Sequence, residues 1–144
     1  MSKNLKVCAI LCMSIVMFSS GCATLNSRQK SELQAMKASD LHVEEKSPGT
    51  ATALGFLPGG GSFYTHQWGI GILDLLLWPF SILWDPIIGY EGALVINYDE
   101  SKFNAKRHMK KEIDVLDEKI GRKGISDEEY RRERKKIEER YSFD

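Results

Sequence analysis

Histidines, cysteines and isolated acids are the side chains here whose types could do chemistry, so their spacing decides what is open. His42, His66 and His108 fall in three different segments, and no His-x-x-x-His or Cys-x-x-Cys spacing offers a tetrahedral metal site. The run Pro58-Gly59-Gly60-Gly61-Ser62 is rich enough in glycine to cradle a phosphate, but the Lys that completes such a loop does not follow it. No nucleophile elbow or helix-start oxyanion site is legible. What remains is Cys22 as a thiol open to acylation, and Asp74 and Asp85 as acids in apolar surroundings. No enzymatic activity, cofactor or metal is expected.

Those two acids sit in the stretch that organises the chain. Leu54 to Tyr90 carries all three Trp and most of the apolar mass that follows Cys22. Trp68 to Trp84 is 17 residues long with a single ionisable group. As one helix it would extend ~25 Å, short of a hydrocarbon layer about 30 Å thick. Trp68 and Trp84 lie near its ends with Tyr64 and Tyr90 just outside, a placement that suits aromatic side chains at membrane interfaces. Gln67, Gly71, Asp74, Trp78, Ser81 and Asp85 recur at helical spacing and would form one small-and-polar stripe on an apolar cylinder. An ionised Asp74 at mid-bilayer would cost roughly 2.5–3.5 kcal/mol, so it is expected to be paired, protonated or shallow. Pro79 should kink or break the helix. A single kinked span and a hairpin that dips in and out both fit, the short broken segments favouring the hairpin.

The N-terminus reads as a targeting segment. Lys3 and Lys6 precede an apolar run, Val7 to Phe18, of 12 residues, where about 20 are needed to span. Ser19-Ser20-Gly21-Cys22 follows and resembles the lipobox of a bacterial lipoprotein signal peptide. The resemblance implies cleavage between Gly21 and Cys22, and lipidation of Cys22 by diacylglyceryl and acyl (palmitate-type) chains. Cys8 and Cys12 would leave with the signal peptide, so no internal disulfide is expected in the mature chain. Two or three acyl chains, at ~0.8 kcal/mol per buried methylene, would hold the protein at a membrane unaided.

From Cys22 to Thr50 the chain is polar and reads as a flexible tether. Ser27 to Lys37 is compatible with one short helix whose apolar side is Leu25, Leu33 and Met36. The stretch Glu44-Glu45-Lys46-Ser47-Pro48-Gly49 is expected to end anything regular, and three glycines after Pro58 predict a turn. In the following block, Pro58-Gly59-Gly60-Gly61-Ser62-Phe63-Tyr64, then Gly69-Ile70-Gly71-Ile72-Leu73 and a run ending Trp84-Asp85-Pro86, resembles the TM2-type membrane hairpin. That family pattern implies two short apolar helices about a Gly-rich turn and no shared catalytic activity; Ala51 to Leu57 is short for its first helix.

The tail, 97–144, predicts two helices. Met109, Ile113, Leu116 and Ile120 form one apolar stripe. Gly121 to Gly124 closes that helix, and Ser126-Asp127-Glu128-Glu129 has the capping-box pattern that opens the next. Tyr130, Ile137 and Tyr141 supply its stripe. Leu116 to Glu139 also resembles the SHOCT-type C-terminal hairpin, which implies an interaction or oligomerising role. From Ser101 onward there are 14 Lys/Arg against 11 Asp/Glu, and the run Arg131 to Lys136 interleaves with acids at pairing distance. It reads as a solvated face, not a nucleic-acid surface, and the chain's net charge of zero agrees.

Taken together, the expectation is a mainly α protein. It comprises a signal peptide (1–21), a lipid-anchored tether (22–50), an apolar hairpin held at the membrane (51–96) and a charged helical hairpin (97–144). Membrane lipid is one partner, and a protein partner or a second copy meeting the C-terminal helices is the other. The role expected is structural, adaptor or oligomerising in the cell envelope, with a small membrane-perturbing or pore-forming oligomer as the alternative. A helical apolar hairpin favours the inner membrane, while Ala23 after the cysteine suits outer-membrane sorting.

Overall fold

The computed structural model describes residues 24–143, and Gly21, Cys22 and the rest of the segment expected to be a signal peptide lie outside them. Among the described residues the chain is mainly helical, with no strand: α1 (Ser27–Ala38), α2 (Pro48–Leu54), α3 (Gly60–Tyr64), α4 (Trp68–Leu76), a 3-10 turn (Phe80–Leu83), α5 (Asp85–Gly121) and α6 (Asp127–Arg140). They form two compact units. Among the described residues the first is Thr24 with Lys46–Ile96; the second joins Leu25–Glu45 to residues 97–143. Helix α5 supplies residues to both.

In the first unit the helices are shorter than their apolar runs. Ser47 caps α2 by accepting from the Thr50 N–H at 3.4 Å, and Pro48 occupies the first helical position, where its missing N–H costs nothing. Pro48-Gly49 therefore begins a helix instead of ending one. Gly59 takes the left-handed conformation at φ 71° and makes the expected turn, yet Gly60 and Gly61 are the first turn of α3. Helix propensity cannot hold five residues that include two glycines; close packing does. A Cβ on Gly61 would stand 2.9 Å from the Asp85 carbonyl oxygen and 3.0 Å from that of Ala51. One on Gly89 would stand 2.9 Å from the Ala51 oxygen. Backbones of α2, α3 and the start of α5 thus meet with no side chain between them.

The run from Trp68 to Trp84 is not one continuous helix, and it is interrupted around Pro79, where a kink or break is expected. Helix α4 stops at Leu76, the Trp78–Pro79 peptide is cis, and a 3-10 turn leads to a new helix at Asp85. A proline in the interior removes a donor and clashes with the preceding turn, so the segment breaks at Pro79. Among the described residues no helix is long and apolar enough to cross a membrane.

In the second unit the polar segment after Cys22 has more order than its composition suggests. Helix α1 carries a full capping box, Asn26 accepting from the Gln29 N–H and donating from its own backbone to the Gln29 side chain, both at 2.9 Å. Its Leu33 and Met36 are buried, as are Tyr98, Ala105, Leu116 and Ile137 in the same unit. The tail's first helix starts at Asp85, well before residue 97: no proline lies between Ile87 and Asn97, and Gly89 and Gly92 stay helical in close-packed positions. The C-terminal hairpin closes at Lys123, which adopts φ 56°, with the Gly124 N–H donating to the Lys119 carbonyl at 2.9 Å. Ser126 caps α6 through the Glu129 N–H at 3.2 Å. Tyr130 donates to Asp117 at 2.6 Å and Tyr141 to Glu112 at 2.7 Å, fixing the two helices side by side. The basic run of α6 is tied into acids, Arg134 to Glu138 at 3.0 Å and Lys136 to Glu133 at 2.7 Å.

Candidate functional site

The first unit reverses the usual distribution of side chains. Its centre holds Ser62, Thr65, Asp74, Ser81 and Asp85, with both acids 0% exposed. Its surface carries Phe56, Leu57, Ile72, Leu75, Trp78 and Ile87, together with Leu76 at 74%, Phe80 at 67% and Leu83 at 74% exposure. Scattered exposed apolar residues are ordinary, whereas a set this large in one small unit is uncommon on a water-facing surface. The run from Trp68 to Trp84 explains the reversal. With one charge in 17 residues, the run offers Asp74 only the Trp84 N–H as a partner. Ser62 from outside the run supplies the other, and the buried Ser81 hydroxyl has none among the described residues.

Asp85 is the hub. Its Oδ2 accepts from the Gly61 N–H at 3.0 Å, and its Oδ1 from the Ser62 N–H at 2.9 Å and the Ser62 hydroxyl at 2.6 Å. The carboxylate so satisfies the free N–H groups that open α3, where negative charge is favoured. Asp74 lies across the same hydroxyl, its Oδ2 3.2 Å from Ser62 Oγ, and its Oδ1 accepts from the Trp84 indole N–H at 2.6 Å. Burial pushes the Asp74 carboxyl above its ordinary value; the bond from Trp84 works against that shift and the neighbouring Asp85 adds to it. Thr65 closes the lower edge, donating to the Gly61 carbonyl at 3.0 Å.

The residues expected to form a polar stripe are partly brought together. Gly71, Asp74, Ser81 and Asp85 all turn inward, drawn from three separate segments instead of one helix face, while Trp78 is exposed. Of the four aromatics placed at the interfaces, Trp68 and Tyr90 are on the surface. Trp84 is half-buried with its N–H used by Asp74, and Tyr64 is half-buried, its hydroxyl accepting from the Ser47 N–H at 3.2 Å under the Lys46 ammonium. Patterning does not single out Ser62. The signal for it is scarcity: few hydroxyls lie in this block to serve two acids. The lipidation expected at Cys22 and the cleavage expected between Gly21 and Cys22 fall on residues outside the described ones.

A second polar cluster lies in the other unit. Glu32 accepts from the Tyr98 hydroxyl at 2.6 Å, Lys102 at 3.2 Å and Arg28 at 3.0 Å. The Tyr98 bond, with Lys102 behind it, holds its carboxyl below the ordinary value despite burial. Among the described residues no group of three or more His, Cys, Asp and Glu is placed to hold a metal ion. Compared with known proteins, the chain matches no family model, no curated protein and no solved structure.

Proposed function

We propose that this is a lipid-anchored bacterial envelope protein with a structural, adaptor or oligomerising role. In this reading Cys22 carries the acyl chains and the first unit seats its apolar surface in one leaflet. The charged C-terminal helices meet a partner protein or a second copy. The observation that supports it is the reversal of burial in the first unit: Leu76, Phe80 and Leu83 outside, Asp74 and Asp85 inside. In water that arrangement forfeits the hydrophobic effect, at roughly 1.5–3 kcal/mol for each large side chain left exposed. In hydrocarbon it becomes the favourable one.

Vesicle flotation of the full chain carrying Cys22→Ala, exported by a plain secretory signal, tests the reading without the acyl chains. Retention on vesicles is expected. A freely dissolved, monomeric protein would overturn it. The pore-forming alternative needs acids that face water, and each acid of the cluster is 0% exposed and hydrogen-bonded within one chain. Purified protein is accordingly expected to release no dye from liposomes.

A further inference from the structure

The buried cluster is one hydrogen short. The Ser62 hydroxyl carries a single hydrogen, yet its oxygen lies 2.6 Å from Asp85 Oδ1 and 3.2 Å from Asp74 Oδ2. The shorter contact takes the hydroxyl hydrogen. Asp85 already accepts from three donors and needs none of its own. Asp74 Oδ1 is served by the Trp84 N–H. Only the contact between Asp74 Oδ2 and Ser62 Oγ lacks a hydrogen, and only Asp74 can bring it.

We infer that Asp74 carries a proton on Oδ2, donated to Ser62 Oγ, whose own hydrogen goes to Asp85, and that this proton latches the first unit closed. Without it, two oxygens face each other with no hydrogen between, and two like charges share a site closed to water. Among the described residues no cation is placed to replace it. Helix α2 contributes no titratable side chain, α3 only Tyr64, α4 only Asp74, the 3-10 turn none, and the start of α5 Asp85, Tyr90 and Glu91. His66 lies between α3 and α4, with its side chain exposed. No Lys or Arg occurs from Ser47 to Ser101, and Lys46 sits over the Tyr64 ring at 4.8 Å. The latch is made by proton uptake from water and broken by proton loss to it. The three segments it joins are α3, α4 and the start of α5, so release separates the elements that hide the acids. This latch follows from the cluster's own geometry and holds whether or not the unit meets a membrane.

Infrared spectroscopy of the full chain in detergent micelles, with carbon-13 label at the Asp carboxyls, reads the proton directly. One protonated Asp band is expected at neutral pH. It should disappear as pH rises, together with a change in Trp fluorescence, since all three Trp lie in this unit. Asp74→Asn, which keeps a donor toward Ser62 and an acceptor toward Trp84, should lack the band and hold its fluorescence over the same range. An absent band in the unaltered chain, a band that survives Asp74→Asn, or a band that titrates without any change in fluorescence would each overturn the inference. The first and third outcomes are read on the unaltered chain and do not depend on any variant folding.

Discussion

The indole N–H of Trp84 points at Oδ1 of Asp74 from 2.6 Å, so the tryptophan next to Asp85 serves the interior and not the surface. Trp68, at the other end of the same apolar run, is exposed and tilts against Phe63 with ring centroids 5.6 Å apart. Two residues of one type therefore have separable effects. Trp84→Phe strips a buried acid of a donor and is expected to cost about 1–3 kcal/mol. Trp68→Phe keeps an apolar ring on the surface and is expected to change stability by less than about 0.5 kcal/mol. Denaturant titration of both variants in micelles checks the contrast.

The two units should respond to pH in opposite senses. Asp74 is raised by burial, so what it contributes is present at low pH and is lost as pH climbs through its folded value. Glu32 is lowered by its bond from Tyr98 and by Lys102, so its contribution is present above the ordinary Glu value and is lost as pH falls through the folded one. Trp fluorescence follows the first unit, and amide hydrogen exchange across α1 follows the second. Alkali is expected to loosen the first signal and acid the second.

Gly61 and Gly89 set how closely the backbones of the first unit approach. A methyl group at either position meets carbonyl oxygens of α2 or α5 at 2.9–3.0 Å, and backbone cannot swing aside as a side chain can. Gly61→Ala and Gly89→Ala are each expected to destabilise by about 1–3 kcal/mol. Gly69→Ala, where an added Cβ meets nothing within 4 Å, serves as the control and is expected to be neutral or slightly stabilising. Thermal melts of the three variants decide it.

Charges placed on the outer surface should separate folding from membrane affinity. Phe80→Asp and Leu83→Asp alter side chains that make little contact within the unit, being 67% and 74% exposed. Helical circular dichroism is expected to survive each change. Partition onto vesicles, measured on the Cys22→Ala background, is expected to fall by about tenfold or more per substitution, following roughly 1.5–3 kcal/mol of lost apolar transfer.

Periodicity makes the C-terminal hairpin legible. The stripe Met109, Ile113, Leu116 and Ile120 buries Leu116 and half-buries the others, and Ser126 caps where its pattern says it should. Local rules suffice there because each helix is defined by its own neighbours. The first unit escapes the same rules. Leu-rich spacing from Trp68 to Trp84 is equally good for a long helix and for a broken one, and only Pro79 hints at the break. The helix over Gly60 to Tyr64 runs against propensity and exists because Asp85, more than 20 residues later, supplies its N-terminal acceptor. Asp74 is conspicuous in the sequence as a lone acid. Its partners come from elsewhere in the chain, and spacing along one helix cannot name them. In α1, a charged surface conceals that Glu32 meets a tyrosine and a lysine about 70 positions away.

The turned-about arrangement of the first unit also reshapes which replacements its sequence can absorb. Swaps among Leu, Ile, Phe and Met at Leu75, Leu76 or Leu83 should pass unnoticed, since an outward position sets no shape for its occupant. Intolerance should gather instead at Ser62, Asp74, Asp85 and the crossing glycines, so a saturation scan of this unit would show its hydrophilic and smallest letters as the invariant ones.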